Sequence, residues 1–348
     1  FNLLCKLSIR SLACFSLYPI TEAYRPGSLK NRLPYNVINS ISEYQKRPIL
    51  SLHQKVADRK HHNDSLVMIL VLGESVRADH LGINGYSRNT TPSLNKIPGI
   101  ISFNRINTAH TYTAASLPQI LTDQGQAVED TSYTSVYSIL NKADFQTYWL
   151  GNQTLEKGYA PIVETNDSIV LIDAFKNVFS FNKRKDQDLL APLKAILPNA
   201  SRSVISLHMI GSHWWYEDRY EDKHRNFTPV IDSKYIPSLS PDQLINSYDN
   251  TIIYLDEFLS QLIDELNQHK TPSVLVYISD HGEQLGEEGK WLHAQAGEAA
   301  KNPAYLMWFS KQYQQRYPKK VQALTSQIHD VSSTDRIFYD LLDLLGIE

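Results

Sequence analysis

Asp280 and His281 stand side by side at the end of an apolar run, in Ser279-Asp280-His281-Gly282, and His293 follows twelve positions after His281. A carboxylate and an imidazole at the end of a buried strand stay undersatisfied unless something binds them. Two other apolar runs end similarly: Leu66–Leu72 leads into Gly73-Glu74-Ser75, and Ser203–His208 leads into Met209-Ile210-Gly211-Ser212-His213. Taken singly, Glu74 reads as a helix cap, His213 as a satisfied core residue and Asp280 as a turn brace. Taken together they gather carboxylates and imidazoles, which repel or stay unpaired unless a cation neutralises them, so a divalent metal is the economical explanation. An oxygen-rich set with imidazole suits Zn²⁺, with Mn²⁺ as the alternative.

Such a centre calls for a nucleophile. Thr113 precedes a short helical pattern with Pro118 in its first turns. A threonine there ordinarily caps the helix. Its hydroxyl also faces free backbone N–H groups and the positive end of the helix dipole, which favour an alkoxide and an anionic phosphate alike. Thr111 and Ser116 compete for the role, and residue chemistry alone does not choose.

The elements that must position these residues follow from periodicity. Leu66–Leu72 is a continuous apolar run bounded by polar residues, as in a strand buried on both faces of a parallel sheet. Comparable runs recur at 99–103, 146–150, 203–208 and 273–278. Helical patterns lie between them. The clearest begins at Ser240, where Ser-Pro-Asp-Gln joins a capping box to Pro at the first helical position. Leu244, Tyr248, Leu255, Phe258, Leu259, Leu262, Ile263 and Leu266 form its apolar stripe. A last helix, capped near Ser333 or Thr334, runs to the C-terminus. The alternation predicts an α/β fold: a mostly parallel central sheet with helices on both faces, binding its ligand beyond the carboxyl ends of the strands.

The chain has 348 residues, 42% of them hydrophobic, with 34 basic and 37 acidic residues and a net charge of −3. That balance, without long single-sign runs, leaves no electrostatic footprint for nucleic acid. Cys5 and Cys14 are the sole cysteines, so from residue 15 onward neither a disulfide nor a cysteine metal site exists. Residues 1–23 are moderately apolar but broken by Lys6 and Arg10, too interrupted for a span of about 20 residues; they read as a core-docking helix or a juxtamembrane remnant. Residues 24–64 read as a linker with a helix around Tyr35 to Tyr44, in which Lys60-His61-His62 is a solvated run rather than a metal site. The division expected is 1–64 as juxtamembrane remnant and linker, and 65–348 as catalytic domain.

The stretches Gly73-Glu74-Ser75-x-Arg77-Ala78-Asp79, Asn84-Gly85-Tyr86-x-Arg88, 111–119, 207–220, 245–259 and 279–293 occur in the order and spacing of the catalytic domain of bacterial phosphoethanolamine transferases. The chain, from about Asn36 to its end, resembles this family of the alkaline phosphatase and sulfatase superfamily, which includes the lipid A enzymes of polymyxin resistance. Carried over residue by residue, the resemblance implies Glu74, Thr113, Asp280 and His281 as zinc ligands, with Thr113 the nucleophile that becomes phosphoethanolamine-bound. It places His213 and His293 in the outer pocket as phosphate-binding groups, proton donors or acceptors, or ligands of a second zinc. Lys157, eight residues after Trp149, matches a substrate-binding lysine, with Asn152 and Gln153 as alternatives. Gln119 stands where the lipid A enzymes have a cysteine, so the cysteine-free pattern looks closer to the branch that decorates lipopolysaccharide core sugars.

The implied activity is zinc-dependent, ping-pong transfer from phosphatidylethanolamine to lipopolysaccharide core sugar, lipid A or another envelope glycan. The implied place is the bacterial inner membrane, reached through an N-terminal region absent from this chain, with the catalytic domain facing the periplasm. Trp214-Trp215 reads either as a lipid contact or as packing under a loop. A phosphodiesterase or phosphoglycerol transferase would share the metal site, and a silent glycolipid-binding domain would lack a ligand or Thr113. A sulfatase is disfavoured, because the nucleophile segment has no Cys-x-Pro-x-Arg.

Overall fold

The computed structural model describes residues 50–125, 132–172, 184–293 and 297–348, all within the unit Leu50–Glu348; the expected helix at Tyr35 to Tyr44 lies outside them. The described strands, in chain order, are β1 (Leu66–Gly73), β2 (Ile100–Phe103), β3 (Ile106–Asn107), β4 (Gln146–Gly151), β5 (Ser168–Leu171), β6 (Arg202–His208), β7 (Ser273–Ser279), β8 (Gln284–Leu285), β9 (Trp291–Leu292), β10 (Tyr305–Phe309) and β11 (Ser332–Ser333). Seven of them form one sheet in the order β2-β10-β7-β1-β6-β4-β5. Strands β7, β1, β6, β4 and β5 run parallel, while β10 pairs antiparallel with both β7 and β2.

All eight residues of β1 are buried, because the sheet is covered on both faces. Leu66, Met68, Leu70 and Leu72 join one hydrophobic core, and Val67, Ile69 and Val71 join the other. This two-residue alternation puts helices on both sides, as the sequence predicts, and each fully buried Leu or Ile contributes roughly 2 kcal/mol. The helix Pro241–Gln268 starts at the expected capping box: Gln243 N donates to Ser240 Oγ, and Ser240 N donates back to Gln243 Oε1.

Four features depart from the sequence reading. β5 and β10 went unrecognised, and residues 99–103 form an edge strand with half-buried Ile100 and Ser102 rather than one buried on both faces. The last helix runs Arg336–Leu344 with Asp335 in the cap position, since Thr334 Oγ1 donates to Gln119 Oε1 instead of capping. Residues 50–64 lay Leu50, Leu52 and Val56 on the core, and Glu348 N donates to Lys60 O.

Candidate metal centre

The parallel register of β1 with β6 and β7 delivers the site. Leu72 pairs with His208, and Gly73 with Ser279, so Glu74, Met209 and Asp280 leave the sheet at one edge. The chain turns sharply there: Ser75 has φ 61°, a left-handed conformation that costs a non-glycine residue about 1 kcal/mol. Three bonds hold it: Ser75 N donates to Asp280 Oδ1, its hydroxyl donates to Glu74 Oε1 at 2.7 Å, and its carbonyl accepts from Tyr248 Oη.

Glu74, Asp280 and His281 are buried and offer one ligand atom each within 4.8 Å of one another. His281 Nδ1 lies 2.8 Å from the Gly282 carbonyl, which can only accept, so Nδ1 carries a hydrogen and Nε2 is the nitrogen turned to the carboxylates. That Nε2 stands 3.3 Å from Glu74 Oε1 and 3.4 Å from Asp280 Oδ2 without an aligned hydrogen bond, and Asp280 Oδ2 likewise has none. Beside these three, Thr113 Oγ1 donates to Glu74 Oε2 at 2.8 Å.

The electrostatics are those of a site built around a cation. Burial, then the charge of Glu74, push the Asp280 carboxyl up to about 7. Burial opposes protonation of His281, but Asp280 and Glu74 outweigh it and raise the imidazole to about 10. Burial also raises Glu74, yet the charge and hydrogen bond of His281, with His213 and His293 behind, hold it well below the usual carboxylate range. Without a metal the two carboxylates share one imidazolium. A divalent ion neutralises them directly, and the orphaned Asp280 Oδ2 and His281 Nε2 are the donors it would take. The set of two carboxylates, one imidazole and one hydroxyl fits zinc.

Thr113 and Ser116 differ in what their hydroxyls touch. Thr113 is the first residue of the helix Thr113–Leu121, with Tyr112 in the cap position, so its hydroxyl is not occupied as a cap. Ser116 donates to the Tyr112 carbonyl. Ser75 also reaches Glu74, but it is 0% exposed whereas Thr113 is 8% exposed. In that first turn the amides of Ala115 and Ser116 donate to the Tyr112 carbonyl rather than standing free beside Thr113.

His213 and His293 line the same pocket. The His293 ring centroid is 5.1 Å from those of both His213 and His281. Burial lowers His213, and its Nδ1 faces the Trp214 carbonyl. Burial also opposes charge on His293, but Glu283 outweighs it and raises the imidazole. Gln153 Nε2 reaches Glu74 Oε2 at 3.4 Å and donates to the Met209 carbonyl. Asn152 instead is fully buried and gives its amide to Asp186 Oδ1 and Arg184 O, so it serves the frame rather than the cavity. Lys157 is exposed on a turn pressed against the helix Thr113–Leu121, where a Cβ on Gly158 would stand 2.5 Å from the Ala114 carbonyl. Trp214 and Trp215 are partly buried against the core.

Sequence reasoning missed Ser75, Glu283 and Asp186. Glu283, two positions after His281, is fully buried with neither oxygen hydrogen-bonded and with His293 Nδ1 at 3.6 Å. Its place in Asp-His-Gly-Glu, one turn past the ligands, was the available signal.

Residues 67–347 match the family model described as Sulfatase. The chain is 32% identical over 344 residues to phosphoethanolamine transferase EptA of Escherichia coli K12, covering 92% of this chain and 62% of that protein. To EptC of the same strain it is 26% identical, covering 81% and 52%. The higher identity to EptA shows that absent cysteines do not by themselves assign a branch. The solved soluble domain of lipooligosaccharide phosphoethanolamine transferase A from Neisseria meningitidis superposes with a TM-score of 0.74 at 30% identity, covering 84% of this chain and 91% of that one. The integral membrane form of that protein gives 0.77 at 29% identity, covering 99% and 68%.

Proposed function

The chain belongs to the sulfatase family and, within it, to the phosphoethanolamine transferases, and from that premise we propose that it moves phosphoethanolamine from phosphatidylethanolamine to an envelope glycolipid through Thr113. The chain spans 62% of the length of the E. coli EptA it matches. The observation that carries the proposal is the 2.8 Å hydrogen bond of Thr113 to a carboxylate of the metal-ligand set.

When bound by Glu74, Asp280, His281 and Thr113, zinc supplies positive charge that stabilises the threonine oxygen and the phosphoryl oxygens. In the first half-reaction a Thr113 Oγ1–P bond forms and the P–O bond to diacylglycerol breaks. His213, whose imidazole burial lowers, accepts the Thr113 proton; His293, whose imidazole Glu283 raises, gives one to the leaving oxygen. Two neighbouring groups with pKa values pushed apart are suited to base and acid roles. In the second half the acceptor hydroxyl attacks phosphorus and returns a proton to His293, while His213 gives its proton back to Thr113. Lys157 holds the phosphoryl oxygens, and Gln153, whose NH₂ is given to Glu74 and the Met209 carbonyl, turns its amide oxygen to the headgroup ammonium.

The acceptor is a lipopolysaccharide core sugar or lipid A, and modification of either accords with polymyxin resistance. The catalytic domain faces the periplasm as part of an inner-membrane protein; the Neisseria relative is an integral membrane protein. No described helix is long and apolar enough to cross a membrane.

The test is a transfer assay with fluorescent phosphatidylethanolamine and zinc, offering core oligosaccharide and lipid A separately. Diacylglycerol release that requires zinc and disappears in Thr113→Ala supports the proposal. Release that persists in that variant removes it.

A further inference from the structure

Asp186 is a charged residue with no solvent exposure behind the metal centre. Its Oδ1 accepts from Asn152 Nδ2 at 2.8 Å and Ile210 N at 2.9 Å, and its Oδ2 accepts from Gly211 N at 2.9 Å. These donors belong to two strand ends: Asn152 follows β4, and Ile210-Gly211 follows β6. One carboxylate therefore ties together the two loops that flank Glu74.

Both ties reach the ligand. Gly211 has φ 46°, and a Cβ there would meet Glu74 O, N and Cβ at 2.8, 2.9 and 3.0 Å, so its backbone lies flat against Glu74. The next residue closes the contact, with Ser212 N donating to Glu74 O at 2.9 Å. On the other loop, Gln153 follows Asn152 and bonds both Glu74 and the Met209 carbonyl. An acceptor-only group suits a position facing three donors; an asparagine would turn its NH₂ against one of them.

We propose that Asp186 is a positioning residue of the metal centre, holding Glu74 in ligating geometry through Gly211 on one side and Asn152-Gln153 on the other. It touches neither the ligand atoms nor substrate. The inference rests on the proposed metal-dependent reading and extends it to the residue that fixes the ligand's place. Partners that orient metal ligands in this way typically alter metal affinity or activity about 10- to 100-fold when changed.

The test measures zinc affinity of the protein by competition with a chromophoric chelator, with thermal melting of the metal-free forms alongside. The variants are Asp186→Asn, Asn152→Ala and, as a control, Asp256→Asn. Asp256 is an equally buried type of carboxylate clamp, taking the amides of Ser93 and Leu94 at 2.9 and 2.8 Å from the long helix. Asp186→Asn should weaken zinc binding about 10- to 100-fold and Asn152→Ala by less, while Asp256→Asn lowers the melting temperature and leaves zinc affinity unchanged. If Asp186→Asn fails to fold, Asn152→Ala decides alone. Unchanged zinc affinity in the Asp186 and Asn152 variants, or an equal loss in the control, overturns the inference and leaves the transferase reading standing. Absence of zinc binding by the parent removes both.

Discussion

Thr113 Oγ1 and Glu74 Oε2 meet at 2.8 Å although 39 residues separate them in the chain, and the threonine comes from a helix while the glutamate ends a strand. Helix entry and strand exit therefore meet on one hydrogen bond. It aims the hydroxyl at Glu74 instead of at its own helix, where a threonine ordinarily caps.

Asp280→Asn should change sign with metal. In the metal-free protein above pH 7 the ionised Asp280 opposes folding, because its folded pKa of about 7 lies above the unfolded value. The variant should then be more stable by roughly 1–2 kcal/mol, an advantage that fades as pH falls from about 7 to 4. With zinc present the order should reverse, and zinc affinity should fall at least about 100-fold. Urea unfolding with and without zinc checks both halves.

His208 makes the protein acid-sensitive. Burial holds its imidazole at about 4, its Nδ1 has no partner, and its ring packs on Trp149 and Tyr159. The unfolded chain takes up that proton near 6.5 and the folded one near 4, so this contribution is complete above pH 6.5 and is lost as pH falls through that window, up to about 3 kcal/mol. In His208→Leu the difference in unfolding free energy between pH 7 and 4.5 should shrink by about 2 kcal/mol.

How far the site was legible depends on how local its signals are. The Leu66–Leu72 run and the Ser240 box announce themselves because burial pattern and capping chemistry lie within a few residues. Asp280-His281 stood out because a polar pair ends an apolar strand. Tyr305–Phe309 was missed because five apolar residues suit a strand or a buried helix turn equally. Asp186 sits in a polar stretch without periodicity, and its role arises from partners 24 to 34 positions away. Likewise no sequence pattern separates Asn152, which faces the frame, from Gln153, which faces Glu74.

Asp249 anchors the 80–88 loop to the long helix. Its carboxylate meets His80 Nδ1 at 2.7 Å and accepts from Arg88 at 2.9 Å and Tyr86 at 3.0 Å, with no side-chain exposure. Asp249→Ala should cost about 1–3 kcal/mol by leaving the His80 and Tyr86 donors without their acceptor, while the part-exposed Arg88 keeps Asn246. Denaturant unfolding measures it, and zinc affinity below the transition should be preserved.

Gly158→Ala should separate binding from chemistry. The new methyl group would press on the Ala114 carbonyl and displace the turn carrying Lys157, at about 1–3 kcal/mol. Steady-state kinetics should show KM for the lipid donor rising about tenfold, with kcat changed less.

The most direct measurement is the mass of the intact protein after incubation with phosphatidylethanolamine and zinc, followed by peptide mapping. A phosphoethanolamine group located on Thr113, absent from Thr113→Ala and discharged by acceptor, is the expected result. An adduct on another residue, or equal labelling of the variant, would contradict the account.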